Sequence, residues 1–172
     1  MDPEIELKRI CNKNNGDFES KDFKVAGEAG SFVHISKYKL QMVYKNFIIS
    51  IIYDFGNSDT AKFQMQSISK DNSPEFKIDT IDHFTKLVLF KKRNWKVTAS
   101  DHKLKQNIDI LMRRFKLNNL IENTAFQIKT VGKQNKDNYT IDTVFSLKYE
   151  QHTESAESII NFHKSIIDLI VK

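Results

Sequence analysis

A chain of 172 residues, 40% apolar and 28% charged, is long enough to bury a substantial core and too apolar for a disordered segment. Its two prolines and five glycines exclude a Pro/Gly-rich low-complexity chain and favour long regular elements. The lone cysteine, Cys11, excludes an intrachain disulfide framework, and a net charge of +5 is basic without dictating a nucleic-acid partner.

The opening Met1-Asp2-Pro3-Glu4 lacks the basic and apolar regions of a secretory signal. The most apolar stretches, 47–53 and 159–171, are too short or too interrupted to span a bilayer, so a cytoplasmic location is expected. Heavy use of Lys, Asn and Ile suggests an AT-rich, bacterial source.

The first predicted element is a helix with Asp2 as N-cap, Pro3 at its first position, and Glu4 and Glu6 at the positive end of the dipole. Leu7, Ile10 and Cys11 form its apolar stripe, and Gly16 is read as its stop. Residues 17–31 hold a short strand at most, with Gly27 and Gly30 in loops.

From Phe32 the apolar period becomes two. Tyr38, Leu40, Met42 and Tyr44, then Phe47, Ile49, Ile51, Tyr53 and Phe55, predict a hairpin turning at Lys45-Asn46. Ile48 and Ile52 make the opposite side of the second strand apolar too, which predicts a central strand covered on both faces. After a turn at Gly56–Asp59 come strands bearing Phe63 and Met65, then Phe76 and Ile78.

Residues 81–90 read equally as helix or strand; Trp95, Val97 and Ala99 read as a strand. Ser100-Asp101 signals a helix start, and Leu104, Ile108, Leu111 and Phe115 form a stripe in a helix ending between Asn118 and Asn123. Two strands follow, with Phe126, Ile128 and Thr130, then Tyr139, Ile141, Phe145, Leu147 and Tyr149, joined by a loop over Gly132–Asn138. A last helix runs from about Glu154, with Ile159, Ile160, His163, Ile166 and Ile167 inward.

Strands joined by short turns and amphipathic helices predict one α+β domain over residues 1–172: an antiparallel sheet with helices packed on it, in the order α, several β, α, β, β, α. That element order resembles small secretion-chaperone domains, which hold partner segments and often dimerise. Those chaperones are typically acidic, whereas this chain is basic.

No motif carries chemistry. Neither GxxxxGK[ST] nor GxGxxG is present, and Asp54-Phe55-Gly56 lacks every companion motif of a kinase. His34, His83, His102, His152 and His163 are scattered, without HExxH or paired cysteines, so no metal ligand, cofactor or catalytic residue is assigned. His163, on an apolar stripe, reads as a satisfied core histidine, and Cys11 as a small buried residue rather than a nucleophile.

The sharpest feature is basic. Lys91, Lys92, Arg93 and Lys96, with Arg113 and Arg114 on the following helix, could neutralise phosphates while Trp95 offered a stacking surface. The same cations also fit a solvated turn and an exposed helix face. The leading expectation is a non-catalytic protein-interaction domain, chaperone- or adaptor-like, with a protein partner or a second copy. Tyr38 and Tyr44 are expected to contribute contact surface. The alternatives are nucleic-acid binding through residues 91–116, and an unrecognised enzyme or small-ligand binder with a pocket between sheet and helix.

Overall fold

A computed structural model describes residues 2–26, 31–68, 73–81 and 94–171. Among these the elements run α1 (Pro3–Lys13), β1 (Asp17–Ala26), β2 (Phe32–Tyr44), β3 (Phe47–Phe55), β4 (Thr60–Ile68), β5 (Phe76–Thr80), β6 (Trp95–Ala99), α2 (His102–Arg114), α3 (Leu117–Asn123), β7 (Ile128–Asn135), β8 (Asn138–Ser146) and α4 (Ala156–Ile170). A 3-10 turn at Glu150–His152 precedes α4. The fold is α+β, with an eight-stranded antiparallel sheet ordered β1-β2-β3-β4-β8-β7-β5-β6. Most of the predicted 81–90 segment lies outside the described residues.

Alternation decides which side of the sheet becomes the core. Leu40 and Met42, Phe47, Ile49, Ile51 and Tyr53, Phe63 and Met65, Ile141 and Phe145, Ile78, and Val97 all point to one side and are buried. The helices supply the matching layer through Leu7 and Ile10 of α1, Leu104 and Ile108 of α2, and Ile159, Ile160, Phe162 and Ile166 of α4. Rings interlock in the centre, with Tyr53, Phe63 and Phe145 edge-on or tilted to one another at 5.4–6.3 Å.

The helix ends have local causes. Asp2 Oδ1 accepts from the Glu4 amide at 2.8 Å, and Asp101 accepts from Lys103 and Leu104 at the start of α2. Lys116, at φ +58°, breaks the predicted long second helix into α2 and α3. Arg9 and Lys13 of α1 both pair with Glu157 of α4, at 2.7 and 2.5 Å, so the first and last helices lie side by side.

Several expectations are corrected. Gly16 is not the left-handed residue after α1; Asn15 takes that conformation at φ +51°. A side chain at Gly16 would instead put Cβ 2.5 Å from the Gln41 carbonyl oxygen and 2.9 Å from Cys11 Sγ. Residues 17–26 form a long strand, paired with β2 along its whole length. The loop assigned to 132–138 shrinks to Lys136-Asp137, because Gly132 lies in β7 opposite Phe76, where a Cβ would overlap that ring and the Tyr139 hydroxyl. Leu147 and Tyr149 lie beyond the end of β8 but remain buried. β3 is central, yet one face is open: Ile48 is 62% exposed, paired with the exposed Val43.

Overpacking against backbone cannot be relieved by a rotamer change. Gly16→Ala is therefore expected to lower stability by about 2 kcal/mol in urea denaturation. Two buried tyrosines should behave oppositely. Tyr139 Oη donates to the Pro74 carbonyl at 2.7 Å, whereas Tyr53 Oη is buried without a hydrogen-bond partner. Tyr139→Phe should lose about 1 kcal/mol, and Tyr53→Phe should be neutral or stabilise by a similar amount.

Candidate interaction surface

The uncovered face of the sheet collects the residues that alternation excludes from the core. One cross-strand row runs through all eight strands: Glu19, Lys39, Ile52, Lys62, Val144, Lys129, Asp79 and Lys96. Lysines occupy every second strand of this row, on β2, β4, β7 and β6. With strands about 4.8 Å apart, their Cα atoms repeat at about 10 Å across the sheet. Lys62, Lys129 and Lys96 are exposed, and Lys39 is half-buried.

The neighbouring rows add cations and few aromatics. Lys77 lies beside Val131 and Thr98, and Lys133 beside Thr140. Lys77 is paired with Asp79 at 2.7 Å and Lys37 with Asp54 at 3.3 Å. Lys39, Lys62, Lys96, Lys129 and Lys133 have no ion pair among the described residues. The acids opposing them in the middle of the sheet are Asp79 and Asp142. Along β2–β8 the aromatic side chains of the strands alternate onto the opposite side, and all but Phe32, 72% exposed at the start of β2, pack towards the helices.

This geometry divides the basic cluster expected from the sequence. Lys96 joins the lysine row. Trp95, one residue earlier, points the other way: it is 6% exposed, and its Nε1 donates to Asp109 Oδ1 at 3.1 Å. Its ring is core and offers no stacking surface. Arg113 and Arg114 are exposed at the end of α2, on the helical side, where the Arg114 guanidinium lies 5.7 Å from the Phe115 ring centre. Lys91, Lys92 and Arg93 lie outside the described residues.

The tyrosines expected at a contact surface are otherwise engaged. Tyr38 is buried and stacks on Phe18, and Tyr44 Oη donates to Asp168 at 3.1 Å beneath Lys164. Sequence reasoning missed the lysine row because it draws single residues from strands far apart in the chain. The signal was present only as a lysine among the outward positions of most strands.

Among the described residues no three His, Cys, Asp or Glu side chains come together to hold a metal ion. Cys11 is buried against the Asp17 carbonyl, and desolvation pushes its thiol pKa up, away from the nucleophilic form. A hollow of about 200 Å³ lies between the ends of β5 and β6 and helix α3, lined by Thr80, Asn94, Ile121 and Phe126. Among the described residues it presents one buried oxygen without a partner, Asn94 Oδ1, and no titratable pair.

His163 is a structural residue. It stacks on Phe63 at 4.7 Å, its Nδ1 donates to the Ile159 carbonyl at 2.7 Å, and Nε2 lies 2.9 Å from Thr143 Oγ1. Thr143 in turn meets Thr130 at 2.9 Å, so a short polar chain threads the core from α4 to β8 and β7. Burial lowers the His163 pKa to about 4.

Compared with protein-family models, curated proteins and solved structures, the chain matches none.

Because the folded-state pKa of His163 lies below the unfolded value of 6.5, the unfolded chain binds a proton that the folded chain refuses. Its contribution is complete above pH 6.5 and is lost as pH falls towards 4, by roughly 3 kcal/mol. Urea denaturation should show the stability difference between wild type and His163→Gln shifting against wild type across that window. A difference independent of pH would refute the assignment.

Proposed function

We propose that this chain is a non-catalytic interaction domain that receives an acidic protein segment on the uncovered face of its sheet. The observation that carries the reading is the row of Lys39, Lys62, Lys129 and Lys96, repeated on every second strand, with no ion pair drawn to them among the described residues. Aligned like charges on a rigid sheet raise the local potential and attract a partner of opposite sign. Val43 and Ile48, paired and exposed on the same face four residues along from Lys39 and Ile52, add apolar contact.

Nucleic acid is the second reading, favoured by the same cations. It is the weaker one, because single-stranded nucleic acid is usually held by stacking on aromatic side chains, and those of β2–β8 face the other way.

Fluorescence anisotropy with poly-L-glutamate and with oligo(dT) as probes distinguishes them. Poly-L-glutamate is expected to bind at low salt and weaken as salt rises. Lys39→Glu, Lys62→Glu and Lys129→Glu together should reduce affinity by about tenfold or more, while Arg113→Glu with Arg114→Glu should leave it unchanged. Stronger binding of oligo(dT), lost in the same triple variant, would establish the second reading. Binding of neither probe at low salt would overturn both.

A further inference from the structure

Among the described residues β1 is an edge strand, paired only with β2, and it is exposed on both faces from Glu19 to Ala26. Such an edge carries unpaired amides and carbonyls that can template another strand. Which residues present them follows from the turns. The two-residue turn between Tyr44 and Phe47 makes that closing pair exchange both hydrogen bonds, so even-numbered residues of β2 face β3 and odd-numbered ones face β1. Glu19, Lys21, Phe23 and Val25 therefore bond inward to β2. Phe18, Ser20, Asp22, Lys24 and Ala26 turn their backbone groups out to the free edge.

We propose that two copies of this chain pair antiparallel along β1, with the two-fold axis at Phe23. Outward residues must face outward residues, so only registers centred on a single residue are open. Centring on Lys21, Asp22 or Lys24 sets that charge against its own copy. Centring on Ser20 places Phe23 against Asp17 and leaves Val25 unmatched. Centring on Phe23 matches Asp22 with the partner copy's Lys24, twice, and sets Lys21 against Val25 and Ser20 against Ala26. Phe23 then meets its own copy in a non-hydrogen-bonded pair, where side chains approach most closely.

The burial pattern fits this register. On the open face of this arm Phe23, Val25 and Val33 are 41%, 39% and 40% exposed, a small apolar group around the buried Ile35. Phe23 of a second copy would cover it. On the other face, among the described residues, Asp22 and Lys24 have only His34 within ion-pair reach, 3.8 Å from Asp22. The partner being a second copy deepens the interaction reading but makes no use of the lysine row.

Analytical ultracentrifugation tests the pairing. Wild type is expected to sediment as a dimer at high micromolar concentration. Asp22→Lys alone and Lys24→Asp alone set like charges against each other and should each give monomers with an unchanged circular dichroism spectrum. An equal mixture of the two variants restores both pairs and should return a dimer. Phe23→Cys should form an interchain disulfide on mild oxidation, since Cα atoms of such a pair lie about 4.5 Å apart and Cys11 is buried. A monomeric wild type, a dimer that survives Asp22→Lys, a monomeric mixture or an uncrosslinked Phe23→Cys would each overturn the proposal. Poly-L-glutamate titration of the same variants reads the lysine row separately, so either idea can fail alone.

Discussion

One-sided burial governs this molecule. Strands β2 to β8 send most alternate side chains into a single layer beneath α1, α2 and α4, and the residues between them remain outside, while β1 adds only the half-buried Phe18. The apolar layer drives folding, because area withdrawn from water is the dominant favourable term and Phe, Ile and Leu supply most of it here. The polar outer face is its necessary complement. A slip of one residue in any strand would exchange the two faces, so the registers of β3, β4 and β8 are held by the rings of Tyr53, Phe63 and Phe145.

Within that layer the few polar groups are ordered rather than incidental. Thr130, Thr143 and His163 form one connected line between two strands and the helix above them. A buried network of this kind restricts how α4 can sit, since sliding the helix by one turn would strand His163 among apolar neighbours. At the other end, Lys164 and Asp168 reach the β2–β3 turn through Tyr44 and Lys45. Hydrophobic burial presses α4 onto the sheet, and these polar contacts choose its place along the sheet.

The architecture could be read from periodicity, and its details failed where close contacts intervened. The α1 cap, its buried Leu7, Ile10 and Cys11, the hairpin of β2 and β3, and the inward face of α4 follow directly from spacing. Gly16 and Gly132 misled because a glycine that admits a neighbour looks the same in sequence as one that ends an element. Trp95 misled for a related reason. Beside Lys96 it looks like half of a binding patch, but alternate pointing on β6 puts the two on opposite sides of the sheet. The lysine row was hidden by topology: β7, β5 and β6 stand in an order that local patterns do not reveal.

That order has a consequence for the ribosome. β1 to β4 form a meander that can assemble from neighbouring residues as they emerge, and β5 with β6 forms a second local piece. In the sheet the two pieces are joined through the β7–β8 hairpin, β8 pairing with β4 and β7 with β5, and β8 is the last strand made. Until then β4 is a bare edge, and α1 lacks Glu157, 148 residues after Arg9. Contacts across such separations are slow to form and leave partly folded chains exposed to association. Synthesis must therefore pass Ser146, the end of β8, before the sheet can close, and α1 gains its ion pairs to Glu157 later still.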